Sequence, residues 1–427
     1  MKSNKIEIIG GFIIVCCLIF MMLYTGISLV LKYYDKKVNS ESLSSVKFKE
    51  LYPNEDGIIS QNKEKKNIMQ KYKVLVAKIE GKVQDITSKN LLGYEKFVEA
   101  SYVYDHTILY KLASNTDAKA RVEIADGNYT TIVPKRDVKE FADAILNFNK
   151  FLTELDIDLL YVQAPYKISE TQEISSIYKD YSNANMDDFL SLITGKVDYI
   201  DIRELIKKNN LNHLDLFYKT DHHWLPETGL WATQEVSKYI NDNYEYGLQE
   251  ENIDTDNFKT NVYERYFLGS HGRFVSLSNA EPENLNIILP KYDTKLSVKI
   301  PDKGIDKTDT FENTLIDWSK IEEGKYYNTS QYAAYAYGDR PLIEIHNELV
   351  CNGKKILVLK DSFAEVFTPF LALENEYVSV IDLRYFDGSL KTYIKNYNPD
   401  MVIVIYNGNS LKNSKDEDDS AGLWNFE

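Results

Sequence analysis

An α/β fold, a doubly wound parallel sheet with helices on both faces, is predicted by three features of this sequence. Helical and strand periodicities alternate from residue 136 to about 240, and the alternation returns between Ile356 and Ile405. The strand segments are continuous apolar runs, as strands buried on both faces require. Between these stretches residues 241–345 break the rhythm with Asn/Asp clusters and scattered aromatics, which predicts an insertion or lid.

Within 136–155, Val138, Phe141, Ala142, Ile145, Leu146, Phe148, Phe151 and Leu152 recur on one helical face, and Leu159–Gln163 follows as a buried strand. Next come a helix around Met186–Leu192, a strand over Val197–Ile202 and a helix through Leu205–Lys208. Another helix opens at Pro226, because proline at a first helical position gives up an N–H that has no partner there. Leu285–Leu289 and Lys295–Ile300 are short strand-like pieces of the insertion. The returning pattern reads strand Ile356–Leu359, helix from Phe363, strand Tyr377–Ile381, helix Ser389–Asn396 and strand Met401–Ile405.

Ahead of the domain, Ile8–Leu31 carries no charge over 24 positions, enough at ~1.5 Å per residue to cross a ~30 Å hydrocarbon core. A transmembrane anchor fits better than a cleaved signal peptide, since the stretch is long and lacks a small-x-small cleavage site. Lysines flank it on both sides, so the positive-inside count does not orient it. A short tail before the span and a large domain after it is the layout of a single-pass protein of the cell membrane with its bulk extracytoplasmic. The expected organisation is a short cytoplasmic tail and anchor at 1–37, a juxtamembrane stalk at 38–90, the first part of the α/β domain at 91–240, the insertion at 241–345, the second part at 346–411 and an acidic tail at 412–427.

Of the three cysteines, Cys16 and Cys17 fall in the apolar span and only Cys351 lies beyond it, so the soluble part has no disulfide framework. A net charge of -15 without a Lys/Arg-rich tract argues against a nucleic-acid partner.

Chemistry concentrates in two runs. Thr220-Asp221-His222-His223-Trp224 holds a carboxylate and two of the six histidines just before a helix. In an extended segment Asp221 and His223 point one way and His222 the other, which makes His223 the base and Asp221 the group that fixes its tautomer. The same cluster also fits a cap for the helix at Pro226. Lys360-Asp361-Ser362-Phe363 follows an apolar strand and precedes a helix, placing the Ser362 hydroxyl at a strand's carboxyl end, where doubly wound sheets carry their sites. Ser362 suits a helix N-cap as well as a nucleophile, and a base elsewhere in the chain favours the nucleophile. Backbone N–H groups after Ser362, with Arg384 or Tyr385, are candidates for substrate or oxyanion contact, and Lys167, Arg273, Lys360 and Asn407 for the same rim. Asp221, His222, His223 and His271 are metal-ligand types, but adjacent histidines of an extended chain diverge and no HExxH spacing occurs, so neither a metal nor another cofactor is expected. His106, His213 and His346 read as structural.

Asp221-His222-His223-Trp224, Lys360-Asp361-Ser362-Phe363 and Asp382-Leu383-Arg384-Tyr385 resemble the signatures of the membrane-anchored DHHW proteins, over roughly residues 100–425. More distantly the chain is similar to the alginate O-acetylation proteins, whose SGNH-hydrolase-like domain places Asp-x-His before the serine. Ordinary SGNH hydrolases have the reverse order, and a glycine where Lys360 stands here. The resemblance implies O-acetyl transfer to, or ester cleavage on, a cell-surface polysaccharide or cell-wall polymer beside a membrane-bound O-acyltransferase. The alternative is a non-catalytic glycan-binding or scaffold protein of the envelope on a degenerate SGNH fold, to which 32 tyrosines and 18 phenylalanines would lend a sugar groove.

Overall fold

The computed structural model describes residues 121–427 except 173, 175–177, 278, 328 and 413–421. The expected anchor at 8–31, the stalk at 38–90, His106 and most of the acidic tail lie outside the described residues, among which no helix is long and apolar enough to cross a membrane.

The chain forms β1 (Arg121–Ala125), β2 (Asn128–Thr131), α1 (Lys139–Thr153), β3 (Asp158–Ala164), α2 (Ser182–Ile193), β4 (Asp198–Asp201), α3 (Ile202–Lys208) and α4 (Pro226–Tyr244). There follow β5 (Phe258–Phe267), α5 (Ser270–Val275), β6 (Glu283–Pro290), β7 (Leu296–Ile300), β8 (Ile305–Asp309), α6 (Phe311–Leu315) and β9 (Leu342–Asn347). The last part is β10 (Lys355–Lys360), a 3-10 turn over Ser362–Val366, α7 (Thr368–Glu374), β11 (Tyr377–Ile381), α8 (Leu390–Tyr397) and β12 (Met401–Asn407).

One sheet of order β4-β3-β12-β10-β11-β9-β7-β8 organises the molecule. Its first five strands are parallel. Their side chains alternate between two cores: Leu160, Val162, Ile356, Val358 and Ile403 face α4 and α7, while Leu159, Tyr161, Leu357, Leu359 and Val404 face α1, α2 and α8. Burial on both faces explains why β3, β10 and β12 read as apolar runs, whereas the edge strand β4 has only Ile200 buried.

The sheet is mixed, which corrects the expectation of a parallel one. β9 runs antiparallel to β11 and to β7, and β7 antiparallel to β8, so part of the expected lid is the far edge of the central sheet. In β9 buried residues alternate with partly exposed ones, the pattern of a strand with one wetter face. The rest of the insertion is the antiparallel pair β5–β6 and the segments around it.

At the carboxyl end, Leu423 and Phe426 are buried, Trp424 donates from Nε1 to the Ser410 carbonyl at 2.8 Å, and its ring packs against Phe141 and Tyr406. These final residues, expected with the tail, belong to the core on the α1 side.

Candidate active site

Residues 216–225 fold back on themselves. Phe217 and Trp224 bridge, the Leu225 N–H donates to the Leu216 carbonyl at 2.8 Å, and the His223 carbonyl accepts from the Tyr218 N–H at 3.2 Å. Asp221 fixes the tip: its Oδ1 accepts from the His223 N–H at 3.0 Å, a side chain bonding its own backbone two residues on. A bend, not an extended segment, is therefore present, and this changes the reading of His222. Its ring lies 3.9 Å from that of His223, centroid to centroid, and its Nδ1 is 3.2 Å from Asp221 Oδ1.

Asp221, His223 and Ser362 are in line. His223 Nδ1 is 2.6 Å from Asp221 Oδ1, and His223 Nε2 is 2.8 Å from Ser362 Oγ. An ionised carboxylate only accepts, so Nδ1 carries the proton and Nε2 offers its lone pair to the serine O–H. Burial works against the charge on Asp221, but the His222 and His223 rings outweigh it and hold the carboxyl well below its usual range. His222 is pushed below the usual histidine range by burial and by His223 beside it, although 35% of its side chain remains open to solvent. Thus the orienting carboxylate is held as an anion.

Ser362 stands just after β10 and opens the 3-10 turn, at the carboxyl end of the parallel strands. Asp361 caps that turn by accepting the Phe363 N–H at 3.0 Å on Oδ1, while its Oδ2 accepts from the Asn407 N–H and the Ser410 hydroxyl, both at 2.6 Å. Trp224, fully buried, donates from Nε1 to the Phe363 carbonyl at 2.8 Å and so ties the histidine loop to the serine turn. With the Phe363 N–H spent on the cap, the N–H of Ser362, outside the helical ladder, is the one suited to an incoming oxyanion.

The insertion braces the loop. The Ser270 N–H donates to Asp221 Oδ2 at 2.5 Å, the Gly269 N–H to Thr220 Oγ1 at 2.9 Å, and Glu283 accepts the Lys219 and Thr220 N–H groups at 2.6 and 2.7 Å. A Cβ on Gly269 would lie 2.3 Å from Asp221 Cβ, so glycine is what lets the backbone approach.

The other expected rim residues have different positions. Lys167 is buried, with Nζ donating to the carbonyls of Tyr129, Tyr218, Lys219 and Asp221 at 2.6–2.9 Å, so it clamps the loop from behind; burial pushes it down to about 7. Lys360 is buried against Asp339 at 2.6 Å and Asp382 at 3.8 Å. Arg384 Nη2 reaches Asp382 at 2.6 Å and Asp339 at 2.9 Å, and Tyr385, 41% exposed, lies under its guanidinium. Burial and then Asp339 raise Glu365 well above the usual carboxylate range, in a cluster that also holds Lys360, Arg384, Asp339 and Asp382. Lys360 and Arg384 are thus both paired with Asp339 and Asp382. Asn407 Nδ2 bonds the Pro165 carbonyl at 2.8 Å, and Arg273 reaches the Tyr326 and Thr329 carbonyls at 3.4 Å. His213 bonds the Tyr166 carbonyl at 2.8 Å and His346 stacks on Tyr377.

Donor atoms of Asp221, His222 and His223 lie within 4.8 Å of one another, the closest approach to a metal-ligand set among the described residues. Both ring nitrogens of His223 are nevertheless engaged by Asp221 and Ser362, which is the pattern of a proton relay.

Fold and site define a class: an α/β protein with carboxylate, imidazole and hydroxyl aligned at the carboxyl edge of a parallel half-sheet. The chain belongs to the DHHW family, whose model, described as DHHW protein, matches residues 165–381. Two solved structures of Bacillus cereus PatB1, one with a sulfonyl adduct, are similar at 22% and 24% identity, both with TM-score 0.59, over 72% of this chain and 99% and 100% of theirs. A DHHW family protein from Eubacterium siraeum is similar with TM-score 0.56 and 17% identity, over 72% of this chain and 95% of that one. No curated protein matches the chain.

Proposed function

We propose that this DHHW protein is a serine-dependent O-acyltransferase or esterase on an SGNH-like fold, acting on a cell-surface polysaccharide or cell-wall polymer. The observation that carries the reading is the continuous hydrogen-bonded line from Asp221 through His223 to Ser362, at 2.6 and 2.8 Å. Ser362 Oγ attacks the acyl carbon of a donor ester as its proton passes to His223 Nε2, and Asp221 stabilises the imidazolium. His223 returns that proton to the departing alcohol. The acyl-serine then yields to an acceptor hydroxyl, giving transfer, or to water, giving hydrolysis, with His223 again moving the proton. No step calls for a metal or organic cofactor.

The family resemblance supports O-acetyl as the group moved, a membrane-bound O-acyltransferase as its source, and a setting outside the cytoplasm with residues 8–31 as anchor. The test is hydrolysis of an activated aryl acetate by the purified protein, compared with Ser362→Ala and His223→Ala variants whose folding is checked by circular dichroism. Loss of activity in both is expected. Activity untouched by either substitution rejects the triad, and a protein inert towards both esters and candidate acceptors points to the glycan-binding alternative.

A further inference from the structure

The His223 imidazole is packed between rings. His222 lies on it at 3.9 Å with 37° between the planes, and Tyr332 at 4.2 Å with only 16°. Phe363 approaches at 5.4 Å and 48°. Tyr332 comes from the insertion, on a short 3-10 turn over Gln331–Ala334. That turn is held firmly: the Ala334 carbonyl accepts from the Asp317 N–H at 2.7 Å, and the Tyr335 hydroxyl bridges the Asn286 carbonyl at 3.0 Å and the Ile288 N–H at 2.8 Å.

Tyr332 is itself 2% exposed, and its hydroxyl has no hydrogen-bond partner among the described residues. What it offers the site is the face of its ring. Burial, and then Glu365, keep the phenol protonated, so this face stays neutral.

We propose that Tyr332 is a positioning residue, which holds the His223 imidazole in line with Ser362 Oγ and favours the imidazolium that forms when the serine gives up its proton. The inference deepens the triad reading and rests on it. A cation over an aromatic face is attracted by the ring quadrupole, and the near-parallel contact places the nascent charge there. The groups facing His223 are Asp221 at Nδ1, Ser362 at Nε2, His222 and Tyr332 on the ring, and Phe363 at its side. Further out, His271 lies 5.7 Å from the His222 ring, and Asp361 and Glu365 act on Tyr332.

The experiment uses the whole protein with Tyr332→Leu, Tyr332→Met and Tyr332→Phe. It reads kcat and KM on an aryl acetate and, separately, the titration of the His223 ring by nitrogen-15 NMR. In the Leu and Met variants kcat is expected to fall roughly two- to thirty-fold at unchanged KM, and the His223 midpoint to drop by about 0.4–1.5 pH units, with Phe restoring both. Methionine keeps the volume filled if leucine does not fold. An unchanged His223 midpoint in Leu and Met overturns the proposal, as does a Phe variant as impaired as Leu, which would give the role to the hydroxyl. The ring titration needs no turnover, so a protein inert towards both esters and acceptors counts against the triad reading while the titration still decides Tyr332.

Discussion

Replacing Asp221 by asparagine changes one atom and asks the most of the site. The carboxylate accepts from the His223 N–H at 3.0 Å and Nδ1 at 2.6 Å on one oxygen, and from the Ser270 N–H at 2.5 Å on the other. Asparagine has a single acceptor oxygen, so one side must now face an amide donor. With the NH₂ against Ser270, two buried donors confront each other, at about 1–3 kcal/mol. With the NH₂ towards His223, the imidazole must shift its proton to Nε2, and it then donates to Ser362 instead of accepting from it. The first arrangement loses the negative charge that stabilises the imidazolium and the second removes the general base, and both lower stability. A loss of about 10³–10⁴ in kcat is expected, about 4–5.5 kcal/mol in the barrier. Because the Asp221 carboxyl sits well below its usual range, its own titration adds no pH dependence to the defect from about pH 5 to 9. Ester hydrolysis across that range, beside thermal unfolding, measures it. Activity within tenfold of wild type in a folded Asp221→Asn protein would refute the assigned role of the carboxylate.

Further outcomes follow from the same geometry. Gly269→Ala puts a Cβ 2.3 Å from Asp221 Cβ and 2.4 Å from the Thr220 carbonyl oxygen, so at least a tenfold drop in kcat and about 1–3 kcal/mol of destabilisation should appear in kinetics and thermal unfolding; a neutral outcome means the loop is not braced there. Glu365 has its carboxyl raised by burial and Asp339, so above the unfolded value the folded state holds the extra proton and wild-type stability falls as pH rises. Glu365→Gln has no proton to lose, and relative to wild type it should gain up to about 1.4 kcal/mol per pH unit above pH 5 in denaturant unfolding; a difference independent of pH contradicts the raised carboxyl. Chelation with EDTA should leave ester hydrolysis unchanged, since both His223 nitrogens are already engaged, whereas loss with recovery on adding zinc would move Asp221, His222 and His223 to a metal role.

Most of the parallel half of the sheet is legible because β3, β10, β11 and β12 are largely apolar runs: Tyr377–Ile381 has the predicted bounds, and Pro226 opens its helix as expected. The alignment of Asp221, His223 and Ser362 was legible for a similar reason, since residue types and order suffice to nominate an acid, a base and a hydroxyl. Partners chosen by distant chain segments left no local mark. Lys167 and Lys360 look like rim cations until the fold surrounds one with carbonyls and the other with Asp339 and Asp382. His222 departs from a period-two pattern because Asp221 bends the backbone. Ser270 and Tyr332 contact the site from a segment without regular rhythm. The glycine pattern of Gly269-Ser270-His271-Gly272 was the only signal of a close approach.

The base and the hydroxyl are 139 residues apart, and the intervening chain builds both the brace on Asp221 and the antiparallel edge of the sheet. Closing a loop of that length costs on the order of 4 kcal/mol in chain entropy before any contact repays it. During synthesis the imidazole therefore emerges long before its hydroxyl, inert and without its stack. Ser362 takes its place at the sheet edge through the pairing of β10 with β11 and β12, both of which follow it in the chain, so the alignment needs residues as far as Asn407. A chain truncated before β10 would have an intact carboxylate and histidine and nothing for them to activate.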